Sequence, residues 1–282
     1  GPTHMVELLL KQVLELSMDN FVDNNLWINF MDTLSYLQIL SLEGLSEAEK
    51  AALLLNLYHV MVLHGHIVFG APTARSQWTS FFNKVLYVIG FDIVSANDLE
   101  HNILRAAMSK PSKSITSKIG KIGTVPHNVF PSLTLAQGDF RFNFCINSGS
   151  QSMPAVVPIY RPEMLDMQMD QATTLALQHV VVDVPRRLVQ LPRVCNTYQG
   201  DFAPKQSKTP SFKDCLRVIV YYLAEPHRSN LLKMLNDEGN ISVRFTTMIY
   251  RGTKFGVLET NAGTGVASRR SSIGAVDDIV EA

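Results

Sequence analysis

Glu100 and His101 stand side by side in the chain. An imidazole takes or gives a proton near neutral pH, and a carboxylate can orient it, so the pair is a candidate for acid/base work. Neighbours on an α-helix point about 100° apart and would not meet well. The structural use of the same residues is a buried His101 and a Glu100 paired to Arg105 or Arg141. The run Ser148-Gly149-Ser150-Gln151-Ser152-Met153-Pro154 offers hydroxyls on a turn-forming loop. Ser150 or Ser152 would need a base to act as a nucleophile, and His101 is the candidate. The same loop could present backbone amides to an anion or a peptide carboxylate around Gly149, or form a tight turn satisfied by its own serine side chains. Arg105, Lys110, Lys113, Lys118 and Lys121 lie in a stretch, 101–138, without a single acid. That stretch reads as a solvated loop, or as a patch for an anion or an acidic membrane surface.

Other chemistry is not supported. His59 and His66 share a helix face, but His64 is offset from both, and no H-E-x-x-H occurs, so no metal is expected. Cys145, Cys195 and Cys215 form no C-x-x-C and read as reduced, buried thiols of a cytoplasmic protein. There is neither G-x-x-x-x-G-K-[ST] nor G-x-G-x-x-G, so no nucleotide or other cofactor is expected. Arg269-Arg270-Ser271-Ser272 resembles a site for a basophilic kinase.

The elements that must position these residues follow from period and punctuation. Residues 6–18 and 20–40 read as helices. Ser46-Glu47-Ala48-Glu49 is a capping box opening a helix to about Phe69. That helix holds no charged side chain over the 21 residues from Ala51 to Ala71. The length is close to that of a membrane span, but Asn56, His59, His64 and His66 favour a buried core helix. Residues 76–88 read as a helix, and Ser95 to Asp98 starts another through Arg105. Residues 140–146 alternate and read as a strand with an aromatic face. A helix over 162–179, two short strands over 180–191, a helix from Ser211 to Leu223, a helix over 227–237 and a strand over 241–247 complete the series. Residues 1–5 read as a cloning remnant, 6–45 as helices packed on the domain or dimerising, 46–259 as the domain and 260–282 as a disordered tail. The fold class expected is α+β: one helix-rich domain with a small, mostly antiparallel sheet and a central buried helix.

Composition bounds the function. The chain has 282 residues, with 25 basic and 25 acidic side chains and 46% hydrophobic residues. That balance excludes an intrinsically disordered chain and argues against a nucleic-acid binder, which usually carries a basic excess. Zero net charge favours association with a partner or with itself.

Four segments resemble the family called domain of unknown function 547. Leu53 to His64 is similar to its N-x-Y-N…H helix, with Asn56 and Tyr58 kept. Asp98 to Arg105 is similar to its I-E-H-x-I-L-R helix. Asp139 to Ile146, leading into Ser148 to Pro154, resembles a D-P-R-x-H-F-A-L strand followed by G-x-x-S-C-P. Leu191-Pro192 to Tyr198, ending at Asp201-Phe202, resembles a fourth motif. The resemblance runs over about residues 50–250 and implies a fold and a candidate surface. Plant relatives described as ternary-complex factors imply protein binding, and a Cys and a His in many bacterial relatives suggest a thiol site. Here Met153 and Asn143 stand at those two places. A thioether is not a thiolate nucleophile, and an Asn side chain is no general base near neutral pH.

The resulting expectation is a non-catalytic cytoplasmic interaction or scaffold domain of a eukaryotic type, a pseudoenzyme binding another protein or a second copy of itself. It has no catalytic residue and no transmembrane segment. Its ligand or peptide cleft would be formed by Asn56, Glu100, His101, Arg141, Asn143, Ser148, Gly149, Ser150, Ser152 and Met153. The alternatives are a serine-dependent hydrolase or transferase, and an anion- or membrane-surface-binding module using the basic stretch.

Overall fold

The computed structural model describes residues 1–18, 24–111, 130–204 and 209–259. Helix α3 (Glu47–Phe69) is its axis. Ser46 starts it: the Glu49 amide donates to the Ser46 hydroxyl at 3.3 Å, and the Ser46 amide donates back to the Glu49 carboxylate at 2.8 Å. Apolar side chains occur all round this helix, so no face of it suits water. Leu53, Leu54, Leu55, Leu57, Tyr58, Val60, Met61, Val62 and Leu63 are all fully buried. By length and composition α3 could cross a membrane, but 78% of its apolar window is buried inside the protein.

Helix α1 (Pro2–Met18) lies against α3 through Val6, Leu9, Leu10 and Val13. It begins at Pro2, so residues 2–5, expected to lie outside the fold, form its first turn, and Met5 packs against the core. Helix α2 (Asn24–Ser35) adds Phe30, which with Trp27 surrounds the His64 ring. The N-terminal helices are thus part of the same core. Helix α4 (Arg75–Lys84) crosses the C-terminal end of α3 at Gly65, where an added Cβ would meet Val85 at 2.6 Å and Phe81 at 2.9 Å.

The helix expected to run to residue 88 stops at Lys84. Leu86–Ile89 (β1) and Asp92–Ser95 (β2) form an antiparallel hairpin. Tyr87 and Ile89 point inward and Leu86 and Val88 outward, the period of a strand. Ser95 then caps a three-residue helix, α5 (Ala96–Asp98), which widens into a π-helical turn at Leu99–Leu104.

The strand expected at 140–146 is instead the short helix α6 (Phe142–Cys145). The apparent alternation misled because Arg141 and Asn143, read as the outward polar face, are buried at 3% and 4% exposure. A period of two signals a strand only when one set of side chains meets water.

Pro162–Met164 leads into α7 (Leu165–Ala176). The expected reversal is present as β4 (Val181–Asp183) against β5 (Leu188–Leu191), and β6 (Ser242–Phe245) joins β5 in parallel. Helices α8 (Arg193–Thr197), α9 (Phe212–Ile219) and α10 (His227–Asn236) pack with this sheet in a second core that holds Cys195 and Cys215. Phe144 of α6 belongs to that core, while Phe142 and Cys145 belong to the α3 core. A short parallel pair joins β3 (Val156–Val157) to β7 (Gly256–Val257). The fold is α+β and helix-rich, as expected. Among the described residues its strands are divided among three small sheets whose pairings are split between antiparallel and parallel, rather than one mostly antiparallel sheet. The tail 260–282, including Arg269 to Ser272, lies outside the described residues.

Candidate functional site

The Ser148–Pro154 loop is anchored on α3. The Asn147 amide donates to His59 Nε2 at 3.2 Å, and the Asn147 side chain spans the loop, donating to the Pro154 carbonyl at 2.8 Å. Gly149 has φ +73°, which favours glycine, and a Cβ there would lie 2.7 Å from the His66 ring. Segment 249–257 closes over this loop. The Ile249 amide donates to Ser152 Oγ at 2.7 Å, the Gln151 amide to the Arg251 carbonyl at 2.9 Å, and the Thr253 amide to the Gly149 carbonyl at 2.6 Å.

The amides that could have cradled an anion are therefore engaged. Gly149 donates to Asn147 Oδ1, Gln151 to Arg251, Ser152 to Ser150 Oγ and Met153 to the Ser150 carbonyl. Ser150 is fully buried, while Ser152 is exposed. Among the described residues neither hydroxyl is hydrogen-bonded to His101. This is a turn satisfied from within, not an open cradle.

Glu100 and His101 sit elsewhere, on the π-helical turn. Widening of the helix brings His101 Nδ1 to 3.8 Å from Glu100 Oε1, closer than ordinary helical spacing suggests but beyond a hydrogen bond. Among the described residues Glu100 takes no Arg partner. It accepts from the hydroxyl of the fully buried Tyr58 at 3.0 Å. The Tyr198 hydroxyl lies 3.5 Å from His101 Nδ1. Glu100 and His101 keep 21% and 18% side-chain exposure, so the group reaches the surface. Burial holds His101 below its ordinary pKa, with Arg105 in the same direction and Glu100 and Asp98 opposing. Burial and the Glu100 charge hold the Tyr58 hydroxyl well above the usual range. At neutral pH the His101 imidazole is uncharged, and the Tyr58 and Tyr198 phenols, both held above their ordinary pKa by burial, keep their protons.

Arg105 was expected on an exposed basic patch and is instead buried at 4% exposure. Its guanidinium donates to Asp201 at 2.7 Å and to Asn143 Oδ1, and its Cζ lies 3.4 Å from the centre of the Tyr198 ring. Asp201 also accepts from the Asn143 side-chain Nδ2 at 2.9 Å, the Ser109 backbone amide at 2.8 Å and the Ser109 hydroxyl at 2.6 Å. Asn143 is thus locked between Arg105 and Asp201 and faces no cleft. Lys110 is exposed. Lys113, Lys118 and Lys121 fall outside the described residues.

The remaining expected residues are spread out. Asn56 ties the Tyr160 backbone to α3 through both its amide and its carbonyl. Arg141 is held by Asp139, Asp166 and Asp170 at 2.7–2.8 Å. Among the described residues no cluster of His, Cys, Asp and Glu could hold a metal. The ten residues expected to line one cleft fall into a satisfied loop, a partly exposed Glu100–His101 group, two buried ion-pair networks at Arg141 and Asn143, and the Asn56 tie to the Tyr160 backbone. Tyr58, Ser109, Tyr198 and Asp201 were not among the expected site residues. Only the motif order hinted that the segment ending at Asp201 returns to the Glu100 helix.

No curated protein and no solved structure matches the chain. Residues 42–175 match the family described as protein of unknown function, DUF547. The match takes in α3, the Glu100–His101 turn, α6 and the Ser148–Pro154 loop, and ends before Tyr198 and Asp201. Through this segment, just under half of the chain, the protein is similar to the DUF547 family of proteins of unknown function.

Proposed function

We propose that this chain is a non-catalytic interaction domain, a scaffold that binds another protein in the cytoplasm. The observation that carries the reading is the filled Ser148–Pro154 loop. Its amides are engaged, Ser150 is fully buried, and segment 249–257 is bonded across it. A site for covalent chemistry needs a reachable nucleophile beside a base. Here Met153 supplies no thiol and the hydroxyls lack His101 as a partner.

A surface suited to contact lies on the β1–β2 hairpin. Val88 and Ile93 face each other across the strands, and both are exposed, as are Leu86 and the fully exposed Phe91 at the turn. Ile39 stands beside them at 79% exposure, on the turn whose Leu37 carbonyl accepts from the Gly90 amide. Apolar side chains gathered on one exposed face mark interaction surfaces more than solitary ones do.

The test is affinity capture with the intact 282-residue chain beside a Val88→Lys/Ile93→Lys chain of unchanged circular dichroism. The expected result is a stoichiometric partner kept by the first and lost from the second, with neither chain labelled by a fluorophosphonate. Absence of any stoichiometric partner would overturn the reading. So would fluorophosphonate labelling of Ser150 or Ser152 that His101→Ala abolishes.

A further inference from the structure

The two edges of the three-stranded sheet differ. At β4 the Val182 amide donates to His227 Nδ1 at 3.4 Å, where α10 begins. At the opposite edge β6 runs parallel to β5, and no strand pairs with its outer side among the described residues. The Ser242 amide donates to the Arg187 carbonyl at 2.8 Å and the Thr246 amide to the Leu191 carbonyl at 2.9 Å. Backbone groups alternate sides along a strand, so Ser242, Arg244 and Thr246 bond toward β5. The amides and carbonyls of Val243 and Phe245 therefore point away from the sheet. An edge of this kind is a template for another extended chain.

The edge is fixed in place. The Arg187 guanidinium donates to the carbonyls of Gly239 at 2.7 Å and Asn240 at 3.1 Å, which ties the chain entering β6 to the β4–β5 turn. Val243 and Phe245 pack on the second core, and the Phe245 ring meets that of Phe212 at 5.1 Å. Ser242 and Arg244 alternate with them on the exposed face.

Charge on that face is of one sign. A cleft of about 380 Å³ is lined by Arg186, Leu188, Ser242, Val243 and Arg244, and by no acid among the described residues. Arg186 has Asp183 at 3.5 Å. The Arg244 guanidinium has no partner among the described residues. A single charged side chain on an edge strand is ordinary protection against pairing. Two guanidiniums in one cleft, beside free backbone groups, suit a strand that brings carboxylates, which an arginine fork takes through paired hydrogen bonds. Two copies of β6 would instead bring Arg244 toward Arg244, and like charges on facing strands repel. The charge thus disfavours a second copy of this chain as the occupant.

We propose that β6 is a docking edge for an acidic, extended segment of another protein, which joins the sheet as a fourth strand. In antiparallel pairing, the residues facing Val243 and Phe245 exchange backbone hydrogen bonds with them and turn their side chains to the apolar face. The residues facing Ser242 and Arg244 turn theirs to the cleft. The segment is therefore one in which apolar and acidic residues alternate. The site shares no residue with the β1–β2 hairpin, so it stands or falls independently of that surface.

A rhodamine-labelled peptide amide, Thr-Val-Glu-Val-Glu-Thr, titrated with the full chain and followed by anisotropy, tests the proposal. Saturable binding is expected, and it should weaken as salt is raised. Replacing both glutamates by lysine is expected to weaken it at least tenfold. Arg244→Glu, in a chain of unchanged circular dichroism, is expected to do the same. N-methylation of the two valine amides keeps the charge and removes the donors to the Val243 and Phe245 carbonyls. It too is expected to weaken binding at least tenfold. Undiminished binding of the N-methylated peptide would mean attraction by charge alone and would overturn the proposal. So would no binding of the glutamate peptide, or binding unaffected by Arg244→Glu. The chain's own Asp277, Asp278 and Glu281 supply a different acidic segment. If the peptide binds only to a full chain carrying Asp277→Asn, Asp278→Asn and Glu281→Gln, the edge belongs to that segment and the proposal falls.

Discussion

Asp201 is the residue on which most of the buried polar structure near the Glu100–His101 group depends. It accepts from Arg105, Asn143 and both the amide and hydroxyl of Ser109, with its side chain 2% exposed. Removing one partner of a buried ion pair leaves the other charge without water or counter-charge, which costs about 3–5 kcal/mol. Asp201→Ala is therefore expected to lower the unfolding free energy by about that amount in a urea titration. Asp183→Ala, at a pair whose Arg186 side chain is 79% exposed, should change it by no more than about 1 kcal/mol. A loss at Asp201 no larger than at Asp183 would mean that the network does not hold Arg105. The network also explains Asn143. A side chain that must accept from Arg105 while donating to Asp201 uses both ends of a carboxamide. The position thereby serves packing, whatever relatives place there. None of this was visible in the sequence. Arg105 and Asp201 are 96 positions apart, and a lone arginine in a run of lysines reads as surface until its partner is known.

Elements were legible where their signal is local. The capping boxes at Ser46, Ser95 and Ser211 are all present, because each needs only a hydroxyl and a carboxylate three residues apart. Ser46→Ala is expected to lower stability by about 1 kcal/mol, since the Glu49 amide loses its acceptor at the start of the helix that organises the core. A urea midpoint with an unchanged slope is the measurement, and no loss would mean that burial alone fixes where α3 begins. The central helix, the 180–191 hairpin and the helix beginning at His227 were also legible, from period and turn residues. Two elements were not, for opposite reasons. At 140–146 the sequence alternated, but the polar set was buried against partners far along the chain, so alternation no longer meant a strand. At 86–89 the strand directly continued an apolar run, and only Gly90, at φ +60°, shows where the chain reverses. The same division holds for the site. The Ser148–Pro154 turn could be read from its serines and glycine. Its cover by 249–257 could not, since backbone pairing between segments a hundred residues apart leaves no compositional mark.

At the scale of the whole molecule, low charge and a large apolar core make acid its weak point. Four histidines sit in or against that core. Burial holds His59 at about 3 and His64 and His66 at about 4, below the ordinary 6.5, and lowers His101 as well. In the unfolded chain each regains the ordinary value. Between about pH 6.5 and 4 the unfolded chain therefore binds protons that the folded chain refuses. Stability is fully present above pH 6.5 and is lost as pH falls through that window, by up to about 1.4 kcal/mol per pH unit for each histidine. Carboxylates held low in the folded chain add to the loss only toward the bottom of the window. Glu7, beside Arg161, is one of them. His66 isolates the effect, because both of its ring nitrogens lack a partner among the described residues and its ring packs on Phe81 at 5.2 Å. Leucine there gives up no hydrogen bond. His66→Leu is expected to be neutral or stabilising at pH 7 and to gain about 2 kcal/mol over the parent chain at pH 5. Urea titrations of both chains at pH 7 and pH 5 measure the difference. An equal pH dependence in the two would mean that His66 takes up its proton in the folded chain, with the loop at Gly149 opening to admit water.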